Sequence, residues 1–207
     1  PEARKLDPLE LVPGDLDLAV RIDLGRLRGA LGADALAALA RALPGDAMLS
    51  EALARADSVT LATRAEDLEA GDRVIVLEGP RVAADLATAH SGLEPSPSPV
   101  AGVRLWDLPG PIPRAAIARV VAVDERGLLF VTPLEVDATS RVLRDGPDAA
   151  RPDPIAEGLL SASFRPRALR PSLAKRYPSL AGVLGGVVQV RATASFGRGQ
   201  LSVRGEV

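Results

Sequence analysis

Between residues 16 and 23 large apolar side chains occupy every second position: Leu16, Leu18, Val20 and Ile22 fall on one side, Asp17, Ala19, Arg21 and Asp23 on the other. A period of two sustained over eight residues predicts a strand with one buried face. Asp23 then stands where an N-cap is expected, ahead of Leu24, Leu27 and Leu31, where the period lengthens to that of a helix. Helical spacing resumes at Leu36 and Leu39 after Asp34 and again over 44–56, with Gly29, Gly32, Pro44 and Gly45 as interruptions. Two strands, 58–64 and 73–78, flank an acidic turn, and an Ala-rich helix over 81–90 follows them.

The run Glu94-Pro95-Ser96-Pro97-Ser98-Pro99 reads as a connection stiffened toward polyproline II. It divides the chain into a first α+β half at 1–94, a linking segment at 95–102 and a second α+β half at 103–207. A strand at 103–108 either closes a β-α-β-β-α-β, ferredoxin-like first half or opens the second one. Segments 115–123 and 128–132 flank Asp124-Glu125-Arg126-Gly127, a hairpin signal. Thr132-Pro133-Leu134-Glu135 has the form of a capping box with Pro at the first helical position, and predicts a helix to about residue 145. A strand at 159–165, a helix at 172–184 disturbed by Tyr177-Pro178, and a hairpin of 187–196 with 201–207 complete the plan. The expected class is α+β, mostly antiparallel, with helices packed on one face of one large sheet or two related small ones. The two halves share no residue-by-residue repeat.

The 207 residues are 47% hydrophobic with a formal net charge of -2, enough for a core built from Leu, Val and Ala. What is scarce narrows the chemistry. With no Cys, the chain cannot make disulfides, thiolate nucleophiles or cysteine zinc sites. His90 is the sole imidazole and sits at a predicted helix C-terminus, where a cation is favoured by the dipole, and no nucleophile elbow accompanies it. Oxygen ligands remain, from Glu66, Asp67, Glu69 and Asp72 in the acidic turn and from Asp15 and Asp17, but their spacing matches no calcium loop and they read as solvated carboxylates. Gly197-Arg198-Gly199-Gln200 lies between two strands and reads as a hairpin turn, not a phosphate cradle. Few aromatics disfavour sugar stacking and RNA reading. No apolar run reaches the roughly 18 residues of a spanning helix. No catalytic residue, metal site or cofactor is assigned, and no nucleic-acid partner is expected.

Charge is divided along the chain. Residues 1–100 carry 10 basic and 17 acidic groups, residues 101–207 carry 15 and 10, and from 158 onward Glu206 is the only acid. The cluster Arg165, Arg167, Arg170, Lys175 and Arg176 either meets an anionic lipid or acidic partner surface or pairs with the acidic half of the same chain. Trp106 is either a core anchor or an exposed contact.

The opening Leu11-Val12-Pro13-Gly14-Asp15, followed by Val20-Arg21-Ile22-Asp23-Leu24 and Leu27-Arg28, resembles the start of exported, lipoprotein-like proteins of GC-rich, myxobacterial-type bacteria. The resemblance spans about 20 residues and supplies no site residues. It implies a periplasmic or outer-membrane-associated location and a lipidated Cys upstream of Pro1. The expected function is a non-enzymatic binding or structural module of the cell envelope, working through a protein partner or through capture of an apolar or anionic ligand. Two alternatives stand beside it: a carboxylate- or Mg/Ca-dependent hydrolase, and an adaptor subunit whose strand edge at 201–207 pairs with another chain.

Overall fold

The alternating segment forms strand β1, Leu18–Asp23, and the Asp23 carboxylate accepts from the Arg26 amide at 2.8 Å to cap helix α1, Leu24–Leu31. In the computed structural model, which describes residues 6–32, 34, 37, 38, 47–65, 71–89, 94–110, 112–149, 158–165, 175, 178, 189–197 and 200–206, the chain continues through α2 (Ala47–Arg55), β2 (Ser58–Thr63), β3 (Val74–Glu78) and α3 (Val82–Ala89). Then come β4 (Val103–Asp107), β5 (Arg119–Val123), β6 (Gly127–Val131), α4 (Val136–Asp145), β7 (Leu160–Phe164), β8 (Val190–Gly197) and β9 (Gln200–Glu206). Short 3-10 turns lie at Pro8–Leu11 and Pro133–Glu135. The expected helix at 172–184 lies largely outside the described residues.

All nine strands join one antiparallel sheet in the order β4-β5-β6-β3-β2-β1-β7-β8-β9. Consecutive strands pair within three groups of three, and two seams join the groups: β3 with β6, where Val74 stands opposite Val131, and β1 with β7, where Leu18 stands opposite Phe164. The α+β, antiparallel class is therefore the observed one. The ferredoxin-like closure is not adopted, because β4 lies at the far edge of the sheet and β1 is flanked by β2 and β7. Strands from both sides of the Pro-rich segment are hydrogen-bonded to each other in the seams.

Two cores sandwich the middle of the sheet. On the first face α1, α2 and α3 close over Val59, Ile75, Leu77, Val120, Leu128 and Phe130, while Leu49, Leu53 and Leu86 fill from above. On the second face the Pro8–Leu11 turn and α4 cover Val74, Val76, Val121, Leu129 and Val131 through Leu11, Val142 and Leu143. β6 is buried on both faces, which explains its uninterrupted apolar run Gly-Leu-Leu-Phe-Val. Gly127 is required there, since a side chain at that position would strike the Pro8 ring. The expectation of helices on one face holds for α1–α3, whereas α4 packs on the opposite face.

The capping box at Thr132 and Glu135 does not form, because both side chains are engaged elsewhere. Thr132 Oγ1 accepts from the Arg73 amide at 2.9 Å and donates to its carbonyl at 3.1 Å, stitching β6 to β3. Glu135, fully buried, pairs with Arg64. The helix begins one 3-10 turn later, at Val136.

Candidate binding site

Beyond β1 no helix among the described residues covers the first face of the sheet. The register places Leu160, Ala162 and Phe164 of β7, Val190, Ala192 and Ala194 of β8 and Val203 of β9 on the first face, in line with Leu18, Val20 and Ile22 of β1. Each is half-buried or exposed, and Val203 is 70% exposed. The second face of the same strands is polar: Ser161 and Ser163 on β7, Arg191, Thr193 and Ser195 on β8, Ser202, Arg204 and Glu206 on β9. Among the described side chains of β8 and β9 none is buried. This end of the sheet is a two-faced ribbon, apolar on one side and hydroxyl-rich with mixed charge on the other.

The two edges of the sheet are treated differently. Along β4 the Pro-rich segment lies alongside: the Ser96 amide donates to the Leu105 carbonyl at 2.7 Å, and Pro95, Pro97 and Pro99 present no amides to a neighbour. A polar latch fixes that segment. Asp107 accepts from Ser96 Oγ at 3.0 Å and from Arg119 Nε at 2.6 Å, and Arg119 also donates to Ser140 of α4 at 2.6 Å. These bonds, Arg119 first, hold the Asp107 carboxyl below its ordinary value. β9, seven residues long, has no strand on its outer side among the described residues.

Cavities open on the second face, two of them side by side. A cleft of about 660 Å³ between α4, the N-terminal 3-10 turn and the β4–β5 strands is lined by Leu11, Val103, Val123, Val142 and Leu143, with Glu10 and Arg144 among its polar groups. Beside it, across Leu6, Val123 and Asp124, lies a cavity of about 420 Å³ whose lining includes Arg21, Ser58, Glu78, Asp7, Asp57 and Arg126.

A cluster of buried charge occupies the other end of β2 and β3. Arg64 bridges Asp15 and Glu135, and Asp72 pairs with Arg114. Burial, outweighing Arg64, holds the Glu135 carboxyl above its ordinary value. Burial opposes the charge on Arg64 too, but its hydrogen bonds to Glu135 and Asp15 prevail and leave it more basic than usual. Arg73 is made less basic by burial. These groups tie loops together around the ends of strands. No group of three metal-binding side chains occurs among the described residues.

The residues singled out by sequence are dispersed. Trp106 is 8% exposed within the first core, with the Arg104 guanidinium 5.5 Å from its ring centre, so the ring serves as an anchor of that core. Arg165 is half-buried at the end of β7, its amide donating to the Asp17 carbonyl at 2.7 Å, and Lys175 is exposed. Arg167, Arg170 and Arg176 lie outside the described residues, as do His90 and Glu66, Asp67 and Glu69 of the acidic turn. Asp72 is buried against Arg114, Asp15 meets Arg64, and Asp17 accepts from the Ala65 amide at 2.7 Å. Gly197 and Gln200 stand opposite each other at the end of the last hairpin, as a turn requires. Sequence reasoning passed over Arg21 and Glu78. Alternation put Arg21 on a polar face and Glu78 ends an apolar run, but nothing local showed that the two line one cavity.

The chain matches no family model and no curated protein. Among solved structures it is similar to TP0453 in crystal form I, at 12% identity and a TM-score of 0.54, over 97% of this chain and 77% of that one. Crystal form III of the same protein gives 11% identity, a TM-score of 0.46, and 97% and 79% coverage. The first likeness places the two chains in a shared fold. No helix among the described residues is long and apolar enough to cross a membrane.

Proposed function

We propose that this chain is a non-enzymatic binding module of the bacterial cell envelope that takes a protein partner at the β9 end of its sheet. The observation that supports this reading is the contrast between the two edges: β4 is covered by a proline-rich strap, while β9 offers a seven-residue edge with no neighbour among the described residues. Uncovered edges invite pairing and are ordinarily blunted, so an edge left open while its counterpart is strapped reads as one kept for use. A polypeptide is the occupant that answers both features at once, since an added strand supplies amides and carbonyls to the edge and side chains to the apolar and polar faces that flank it. The envelope location rests on the resemblance of the opening residues.

In an antiparallel ladder successive amides point alternately toward the neighbouring strand and away from it. Of Val203→Pro and Arg204→Pro, therefore, one removes an amide bonded to β8 and the other an amide on the open edge. With a photo-reactive residue at position 202, cross-linking in the native envelope fraction is expected to give a discrete adduct. The proline variant that keeps the wild-type melting temperature is expected to lose it. An adduct that persists in the fold-neutral variant removes the edge from the proposal, and recovery of the chain only from the cytoplasmic fraction removes the envelope.

A further inference from the structure

Arg21, a half-buried residue, lies on the second face of β1, opposite Thr60 of β2 and Ser161 of β7, and lines the 420 Å³ cavity. It makes no hydrogen bond or ion pair among the described residues, although four carboxylates line the same cavity. Three of the carboxylates have other engagements. Glu78 accepts from Ser58 Oγ at 2.9 Å, Asp7 from the Leu9 amide at 2.9 Å, and Asp57 lies 3.9 Å from Arg28. Next to Arg21, the Thr60 hydroxyl is 1% exposed and has no partner. A guanidinium left half-buried without an acceptor is a poor arrangement for stability alone, since its planar fork is suited to a carboxylate.

We infer that this cavity binds a free basic α-amino acid, with the ligand carboxylate on Arg21 and its cationic groups toward the surrounding acids. The volume falls in the range of small-molecule sites. The balance of charge selects the class. Arg21 and Arg126 face Asp7, Asp57, Glu78 and Asp124, so the lining is net negative and rejects a dianion such as a phosphate monoester. A simple cation would leave Arg21 unanswered. A molecule with one carboxylate and two cationic centres satisfies both signs, and arginine and lysine are the plainest examples. The site lies away from the β9 edge and does not depend on it.

The test is calorimetric titration of the full chain with L-arginine and L-lysine, compared with agmatine, which keeps the guanidinium but lacks the carboxylate. Arginine or lysine is expected to bind with Kd of about 1 mM or tighter and agmatine at least about tenfold more weakly. Arg21→Gln is expected to reduce arginine affinity by about tenfold or more at an unchanged melting temperature, because among the described residues the native side chain bonds to nothing that the substitution would strand. Glu78→Gln keeps an acceptor for Ser58 and is expected to weaken binding while the fold persists. Absence of heat with both amino acids, agmatine binding as tightly as arginine, or undiminished affinity in folded Arg21→Gln would each overturn the assignment.

Discussion

Glu135 shows how one residue is put to a use its local sequence does not announce. Read with Thr132 it completes a capping box; in the fold it is fully buried and answers Arg64, which no sequence spacing connects to it. The same limit hid the cavity around Arg21, since alternation assigns a side chain to a face without saying what stands above that face. The buried pair has a testable pH signature. The folded chain holds a proton on Glu135 more tightly than the unfolded chain does, so ionising it costs stability as pH rises through the ordinary carboxylate value toward the raised one. Arg64 offsets that cost. Arg64→Met therefore leaves a buried charge unanswered and is expected to lose about 3–5 kcal/mol near neutral pH. The deficit is expected to shrink as pH is lowered and Glu135 takes up its proton, and to be largely repaired by adding Glu135→Gln. Urea unfolding at several pH values measures this; a deficit that stays constant with pH would locate the cost elsewhere.

The strands were the most legible elements. Alternation identified β1 within two residues, turn residues located the β5–β6 and β8–β9 hairpins, and Asp23 is the cap of α1 that its position suggested. What sequence could not show was placement: that α4 crosses to the second face, or that the proline run lies against β4 as an edge strap. Both depend on contacts between distant segments, and a periodic pattern records only that a face is buried, not against what. Gly158 makes a further prediction at this scale. It adopts φ of +83° at the approach to β7, and a Cβ there would sit 2.8 Å from the Ala194 carbonyl oxygen. Gly158→Ala is expected to cost at least about 1 kcal/mol from backbone strain alone, and more as β7 and β8 are pushed apart. Hydrogen exchange reads the effect: protection is expected to fall in β8 and β9 and to persist in β3 and β6. Equal loss throughout the sheet would show that the β7–β9 end does not respond separately.

For the whole molecule, the two seams decide what can stand alone. β3 is completed by β6, and β1 by β7, so each side of the proline-rich segment carries strands whose partners lie on the other side. A fragment of residues 1–102 would uncover β3 along an edge made of Val74, Ile75, Val76 and Leu77, all fully buried in the intact chain. It is expected to show no cooperative thermal transition by circular dichroism, whereas the intact chain melts over the buried middle of the sheet. A sharp transition in the fragment would show that the first three strands hold together without β6.

The grouping of strands in threes also governs how the fold is reached. β2 and β3, β5 and β6, and β8 and β9 follow one another in the chain and can pair over short stretches of it. The β1–β7 seam must close a loop that contains most of the molecule, and the entropy of that closure is met only when the partners are already formed. The joining of finished ribbons is therefore expected to be the slow step in folding, with β1 a temporary edge of the growing sheet until the last of them docks. During that interval the chain is most exposed to mispairing with its own copies, and a partner that holds the last ribbon would shorten it.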